Sequence, residues 1–308
     1  MRSLYRVVKN LLPLNINLSR AGALTAFMAM ALPLAGCTGS SDYPVIFPHG
    51  PDAITERDLL FIAVAIMLIV VIPVFVLAVW LPLRYRASRE APDYDPNWDH
   101  SHRAEVVIWL VPALIVCAIG SLVWIYTHRL DPYRSQMAEG KPVVVQAVSI
   151  DWKWLFIYPQ QHLATVNELV LPTDRPVSLR LTSTDVMTSF FVPGLTSQIY
   201  AMAGMGTRLN FQPGPVETYT GRNSLFDGKG FPDQKFPVRI VTAENFKNWI
   251  DTVRKAPLQL TPHKYQMLSK SGAMPHPLHF SSADPELFAR IVKGEHSAAS
   301  MIVSSRSK

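Results

Sequence analysis

Two segments in the second half of the chain determine how the rest is interpreted. Residues 185–205 read DVMTSFFVPGLTSQIYAMAGM, and residues 219–234 read YTGRNSLFDGKGFPDQ. Neither segment contains Cys or His, so neither offers thiolate or imidazole donors to a metal ion. Both contain short apolar runs interrupted by Gly and Pro, a pattern typical of β-strands joined by turns.

The same pattern of short apolar runs interrupted by Gly and Pro extends over residues 142–242. Val177, Leu179 and Leu181 alternate with polar residues, which is the period-2 pattern of a half-buried strand. Further strands are predicted at 143–150, 208–212 and 238–241. About 100 residues of such short strands predict a β-sandwich, with an unrelated small β-domain as the alternative.

The two quoted segments resemble the metal-loop region of subunit II of the haem–copper oxidases. In copper-bearing members a His precedes the Ser-Phe pair, and the later loop reads Cys-Ser-Glu-x-Cys-Gly-x-x-His-x-x-Met. In this sequence the six ligand-equivalent positions hold Thr188, Asn223, Leu225, Asp227, Phe231 and Gln234. Hydroxyl, amide, carboxylate and phenyl groups cannot replace the donors of a thiolate-bridged copper pair.

Because the frame is present and the ligands are missing, the chain resembles subunit II of the cytochrome bo-type ubiquinol oxidases, in which quinol replaces cytochrome c as the electron donor. The resemblance covers residues 37–292 with gaps. It implies a copper-free, cupredoxin-like Greek-key sandwich with no cofactor on this chain, and haems and copper on a partner, subunit I.

Composition independently indicates membrane segments. The 308-residue chain is 49% hydrophobic, with a mean hydropathy of +0.15, which is apolar for a soluble protein. Residues 59–83 and 106–127 are uncharged runs, each long enough to cross a hydrocarbon core of about 30 Å as a helix. The sequence therefore predicts a transmembrane helix hairpin.

The N-terminus predicts a cleaved leader. A basic start is followed by an apolar run over 21–34 and then by Leu-Ala-Gly-Cys ending at Cys37, an order that matches a bacterial lipoprotein signal with a lipid on the Cys37 sulfur. The alternatives are an uncleaved anchor helix and an ordinary signal peptide with a chance Cys. The four basic residues of this leader account for most of the formal charge of +6, so nothing in the charge points to nucleic acid.

The orientation of the hairpin follows from its charges. A lipidated Cys37 lies outside the membrane, and positively charged loops stay in the cytoplasm. The loop between the two runs carries Arg84, Arg86, Arg89 and Arg103. The domain beyond residue 129 is therefore predicted to be periplasmic, in a protein of the bacterial inner membrane.

The predicted organisation has five parts. These are a signal peptide over 1–36, an exported segment over 37–57, a helix hairpin over 58–128 with a cytoplasmic loop at about 84–104, a cupredoxin-like domain over 129–242, and a C-terminal helical segment with a disordered tail over 243–308. Within the last part, Thr242 is predicted to cap a helix over 243–255 whose apolar stripe packs on the domain. His276 and His279 follow, as a surface loop or, less favoured, as metal ligands.

Four aromatic residues alternate in a short segment. If it is extended, Trp152, Trp154, Phe156 and Tyr158 share one face. In copper-bearing relatives the corresponding segment lies beside the copper and serves electron entry. Without copper, we expect these rings to pack the sandwich and its contact with subunit I.

One acidic residue stands at the edge of the second uncharged run. Glu105 lies in the context His-Arg-Ala-Glu-Val-Val-Ile-Trp-Leu-Val-Pro, which ends at Pro112 and resembles the family's start of the second helix. There, a Glu guards the cytoplasmic mouth of the K proton channel of subunit I. The alternative is that Glu105 only complements a helix dipole.

The function that the resemblance implies is subunit II of a proton-translocating quinol oxidase, which docks on subunit I together with further small membrane subunits. Two alternatives stay open. One is a cytochrome c oxidase subunit, which the missing ligands oppose. The other is a free-standing lipoprotein that carries copper or assists assembly.

Overall fold

The computed structural model describes residues 43–86, 100–134, 141–270, 272, 274 and 276–295. Two long helices come first: α1 spans Pro51–Arg84 and α2 spans His102–Arg129. Both are long and apolar enough to cross a membrane, and most of their apolar side chains are exposed. The predicted membrane helices are therefore present.

Helix α1 begins before the uncharged run that predicted it. Pro51 occupies its first turn, where proline is favoured because its missing N–H needs no partner. The charged residues between Asp52 and Asp58 therefore continue the helix beyond the apolar stretch. Helix α1 has 34 residues, about 51 Å at 1.5 Å per residue, which exceeds a hydrocarbon core of about 30 Å.

The junction between α1 and the following domain is tight. The backbone N–H groups of His49 and Gly50 both donate to the Gly194 carbonyl, at 2.9 and 2.8 Å. A Cβ on Gly50 would lie 2.0 Å from the Leu195 carbonyl oxygen, so only glycine fits between the helix and this turn.

The domain is a two-sheet sandwich. Its strands are β1 Val143–Ile150, β2 Lys153–Tyr158, β3 Leu163–Val166, β4 Leu169–Pro172, β5 Val177–Ser183, β6 Thr188–Val192, β7 Thr196–Ala201, β8 Thr207–Phe211, β9 Thr218–Asn223, β10 Lys235–Val241 and β11 Leu278–Phe280. One sheet has the order β11-β3-β2-β1-β5-β8 and the other β4-β10-β9-β6-β7. The pairs β1/β5 and β4/β10 are parallel. Two apolar helices followed by a β-sandwich confirm the predicted fold class.

The main core lies between the two sheets. Val177, Leu179 and Leu181 point into it, as the alternation predicted. Aromatic rings fill its centre: Phe156 lies 5.1 Å from Phe236 between ring centroids, and Trp154 lies 5.5 Å from Phe190. The predicted strands over 143–150 and 177–182 match β1 and β5, whereas β8 begins one residue earlier than predicted and β10 begins at Lys235.

The described C-terminal residues form a second core on the other face of the six-stranded sheet. Helix α3 spans Ala243–Arg254, α4 spans Pro262–Leu268 and α5 spans Leu287–Val292. Thr242 caps α3 by accepting a hydrogen bond from the Asn245 N–H, as predicted. The second core combines strand residues with C-terminal residues: Val148, Ile150, Leu155 and Ile157 pack with Leu260, Tyr265, Phe280 and Phe288. The last residues, predicted to be disordered, lie outside the described part of the chain.

Candidate functional site

The fold brings the six ligand-equivalent positions to one end of the sandwich. Thr188 opens β6, and Asn223 closes β9. The pairing of Phe190 with Asn223 places β6 beside β9. Phe231 lies in a short 3-10 helix, and Gln234 immediately precedes β10. The sequence predicted these positions as a group, and β-pairing explains why they meet.

A buried amide pair occupies the centre of this group. The side chains of Asn223 and Gln234 are 3% and 2% exposed, and Asn223 Nδ2 donates to Gln234 Oε1 at 2.9 Å. Asn223 Oδ1 accepts from the backbone N–H groups of Ser189 at 2.9 Å and Leu225 at 3.0 Å. Gln234 Nε2 donates to Ser149 Oγ at 3.3 Å. These bonds connect β6, β9, the following loop and the start of β10.

A small polar cavity of about 60 Å³ lies beside this amide pair. Thr188, Asp227 and Trp152 are among its lining residues. Thr188 Oγ1 and Asp227 Oδ1 are buried and make no hydrogen bond to any group in the described part of the chain. Burial raises the pKa of the Asp227 carboxyl above its ordinary value, because the charged form is poorly solvated there. A cavity of this size and polarity can hold water.

A second, larger cavity of about 190 Å³ includes the amide pair itself in its lining. It is lined by Arg222, Asn223, Phe231, Pro232, Gln234 and Lys235. The Phe231 ring packs against Phe226 with a centroid distance of 5.7 Å, and Phe226 is 76% exposed. Leu225, at the remaining ligand-equivalent position, is half-buried.

The residues present at this site do not fit a thiolate-bridged copper pair. The six positions offer one hydroxyl, two amides, one carboxylate, one aliphatic and one phenyl group, whereas such a pair requires thiolate, imidazole and thioether donors. Across the residues that the structure describes, no cluster of three or more His, Cys, Asp or Glu side chains is suited to hold a metal ion.

The four aromatic residues divide into two groups. Trp154, Phe156 and Tyr158 are fully buried in the main core, and the Tyr158 hydroxyl donates to the Val170 carbonyl at 3.1 Å. Trp152 does not continue their face, because it lies in the two-residue turn between β1 and β2, where Asp151 and Trp152 have positive φ values of 33° and 62°. The expectation of one shared face assumed an extended backbone, which the hairpin turn interrupts.

Trp152 instead covers the ligand-equivalent loop. Its Nε1–H donates to the Asp227 carbonyl at 3.3 Å, and its ring lies over Gly228 and Gly230. A Cβ on Gly230 would come within 2.2 Å of the indole. Asp151 alone is a weak turn signal, and the bulky Trp152 at positive φ gave no local sign of this arrangement.

The remaining predicted site residues lie elsewhere. Glu105 is in the first turn of α2, with a half-exposed side chain whose Oε2 lies 3.6 Å from His102 Nδ1. Cys37 lies outside the described residues. His279 is on β11, where its Nε2 lies 2.6 Å from Glu168 Oε2.

Two polar contacts of the C-terminal segment were not anticipated from the sequence. Buried Glu168 contacts both His279 and Arg239. Burial alone would raise the pKa of Glu168, but its hydrogen bonds to His279 and Arg239 outweigh that effect and lower it. Lys153 Nζ donates to the carbonyls of Lys270 and Gly272, both at 2.8 Å. Neither contact follows a local sequence pattern, since the partners are more than 70 residues apart.

Comparison with known proteins gives close relatives of matching length, although no protein-family model matches the sequence. The chain is 44% identical over 270 residues to cytochrome bo(3) ubiquinol oxidase subunit 2 of Pseudomonas aeruginosa, covering 87% of this chain and 80% of the relative. It is 36% identical over 286 residues to the protein of the same name from Buchnera aphidicola, covering 92% and 97%. It is 38% identical to ubiquinol oxidase subunit 2 of Acetobacter aceti, covering 89% and 87%.

Solved structures are more distant. The periplasmic domain of subunit II of cytochrome oxidase from Bradyrhizobium japonicum is 21% identical, with a TM-score of 0.36; the alignment covers 38% of this chain and 96% of that one. A chain of a haem–copper terminal oxidase dimer is 14% identical with a TM-score of 0.36, and covers 45% and 100%. The identities and near-complete coverage of the sequence relatives show that this chain belongs to the family of ubiquinol oxidase subunit 2.

Proposed function

We propose that this chain is the non-redox subunit II of a proton-translocating quinol oxidase, a complex that oxidises quinol and reduces oxygen to water. The observation that carries the proposal is the amide-centred hydrogen-bond network at the ligand-equivalent positions of a chain of this family. The donor set does not suit a copper relay, so electrons are expected to pass from quinol to redox centres on another subunit.

In this proposal the chain is anchored in the bacterial inner membrane, with its sandwich in the periplasm. Helices α1 and α2 hold it there. The arginines in and beside the connecting loop keep that loop in the cytoplasm. The leader over 1–36 is removed, and Cys37 carries a lipid.

The chain then has two tasks in the complex. Its sandwich docks on the outer face of subunit I, and the start of α2 contributes Glu105 to the cytoplasmic entrance of the K proton channel. The exposed position of Glu105 beside His102 supports this assignment, because a proton-collecting carboxylate must be in contact with water.

The test is to purify the complex through a tag on this chain from membranes. We expect co-purification of a large haem-bearing subunit and ubiquinol oxidase activity in the purified complex. This activity should be absent from a strain lacking the gene and restored when the gene is reintroduced. A haem-free chain that purifies alone contradicts the proposal and favours a carrier or assembly lipoprotein. Activity with reduced cytochrome c, but not with quinol, also contradicts it.

A further inference from the structure

The larger cavity at the ligand-equivalent end has two cations at its rim. Arg222 on β9 and Lys235 on β10 are directly opposed register partners, and both are exposed. Side chains in such positions have Cβ atoms about 4.5–5.5 Å apart, so like charges repel. Within the described part of the chain, neither side chain forms an ion pair. The pair therefore concentrates positive charge at the mouth of a cavity.

The interior of this cavity is suited to the apolar stem of an anionic group. Phe231 and Pro232 form one wall. The amides of Asn223 and Gln234 line the floor, but they are bonded to each other and to neighbouring groups. The groups available to a ligand are thus a guanidinium and an ammonium above an apolar wall. A guanidinium matches a carboxylate in bidentate geometry.

The position of the cavity favours a protein as the source of that carboxylate. The β6–β7 turn at Gly194 contacts the start of α1, whereas Asn223 and Arg222 pair with Phe190 and Phe191 in the middle of β6. Three to four residues separate these positions from Gly194, about 10–13 Å along the strand, so the cavity does not lie at the place where the membrane helix joins the domain. Exposed Val186, Met187 and Phe226 flank this end, and apolar residues around an Arg are typical of a protein interface.

From these observations, we propose that the Arg222–Lys235 cavity binds an Asp or Glu side chain of a partner subunit. This inference rests on the proposed function, since it requires a multisubunit oxidase. It assigns one docking contact to the end of the domain where copper-bearing relatives have their metal loop.

Zero-length carbodiimide coupling of the purified complex tests the contact, because this reagent joins a lysine amine to a carboxylate only where the two touch. We expect mass spectrometry to identify a peptide that links Lys235 to an Asp or Glu of another subunit. Lys235→Arg keeps the charge but removes the reactive amine, so it should abolish this link and leave the complex intact.

Two further variants separate a specific contact from general charge. Arg222→Gln, which adds no carboxylate opposite Lys235, should lower the yield of the Lys235 link about tenfold, the change expected for loss of one charged hydrogen bond. Arg180→Gln is the matched control, because Arg180 and Arg208 form the same kind of exposed cross-strand pair in the other sheet; it should leave the yield unchanged.

Coupling of Lys235 only within its own chain, for example to Asp233, overturns the inference while leaving the proposed function intact. So does an equal loss in the Arg222→Gln and Arg180→Gln variants. A chain that purifies without other subunits overturns the proposed function and this inference together.

Discussion

Gly230 illustrates how a single residue shapes the ligand-equivalent loop. Its missing side chain lets the Trp152 indole lie directly on the loop, and a Cβ there would meet the ring at 2.2 Å. Gly230→Ala must displace a part-buried aromatic ring that is also held by a hydrogen bond. We expect a loss of about 1–3 kcal/mol in unfolding free energy, as for overpacking.

Denaturant unfolding followed by tryptophan fluorescence measures this loss in the full-length chain. Gly206→Ala is the control, because a Cβ at Gly206 has no neighbour within 4 Å and should change stability little. Equal stability of the two variants would show that Trp152 does not rest on Gly230 in solution.

Glu105 carries the proposed proton-transfer role at the residue scale. A carboxylate at a channel mouth collects protons and passes them on, which an amide of the same shape cannot do. Glu105→Gln should therefore slow oxidase turnover, most strongly at high pH where protons are scarce, while the complex assembles normally.

Turnover against pH, normalised to haem content, is the measurement. Glu244→Gln provides the comparison, because Glu244 also lies in the first turn of a helix and tests a dipole effect alone. An unchanged pH profile in Glu105→Gln would mean that Glu105 acts only as a charge at the helix end and does not transfer protons.

At the scale of elements, the C-terminal segment is joined to the sandwich by β11 and by Glu168. This carboxylate is buried and contacts His279 and Arg239. Its pKa is lower in the folded chain than the ordinary value of 4.5, so the stabilisation is present above pH 4.5 and is lost as the pH falls through the lower, folded-state pKa.

Glu168→Gln should therefore destabilise the chain near neutral pH by about 1–3 kcal/mol, with the difference from the natural chain closing in acid. Denaturant unfolding at several pH values measures the difference, and hydrogen exchange of β11 reports local release. Asp251→Asn removes an exposed ion pair with Arg254 and should have little effect. A pH-independent difference would mean that Glu168 acts through packing rather than charge.

The sequence predicted some elements well because local signals determined them. The uncharged runs predicted both membrane helices, and period-2 alternation predicted β5. Thr242 and the apolar stripe predicted α3. The C-terminal additions were harder, because β11 has only three residues and its pairing with β3 joins positions more than 100 residues apart. Likewise, Lys153 gave no local sign that it binds the carbonyls of Lys270 and Gly272.

The ligand-equivalent loop is the element where the residue-by-residue alignment with copper-bearing subunits can be tested. Replacing Thr188→His, Asn223→Cys, Leu225→Glu, Asp227→Cys, Phe231→His and Gln234→Met restores two thiolates, two imidazoles, a thioether and the carbonyl position. If the loop backbone follows the copper-bearing frame, the variant should bind two coppers and absorb strongly in the visible range.

Metal analysis and absorption spectroscopy of the variant and the natural chain measure this outcome. The natural chain should bind no copper in stoichiometric amount, and copper binding by it would contradict the proposed function. A variant that folds but binds no copper would show that the loop backbone has diverged, and it would leave the function unaffected.

At the scale of the whole molecule, the two helices and the predicted lipid both hold the chain in the membrane, but unequally. Helices α1 and α2 contain 34 and 28 residues, and the insertion of such helices is effectively irreversible, an attachment that lipid anchors do not match. Intact-mass measurement should find the natural chain without residues 1–36 and with an added lipid mass. Cys37→Ser should lose the lipid and yet remain in the membrane fraction after washing at high salt and high pH, with oxidase activity retained. Release of this variant into the wash would mean that the lipid, rather than the helix hairpin, anchors the subunit. An unmodified Cys37 in the natural chain would refute the lipoprotein assignment itself.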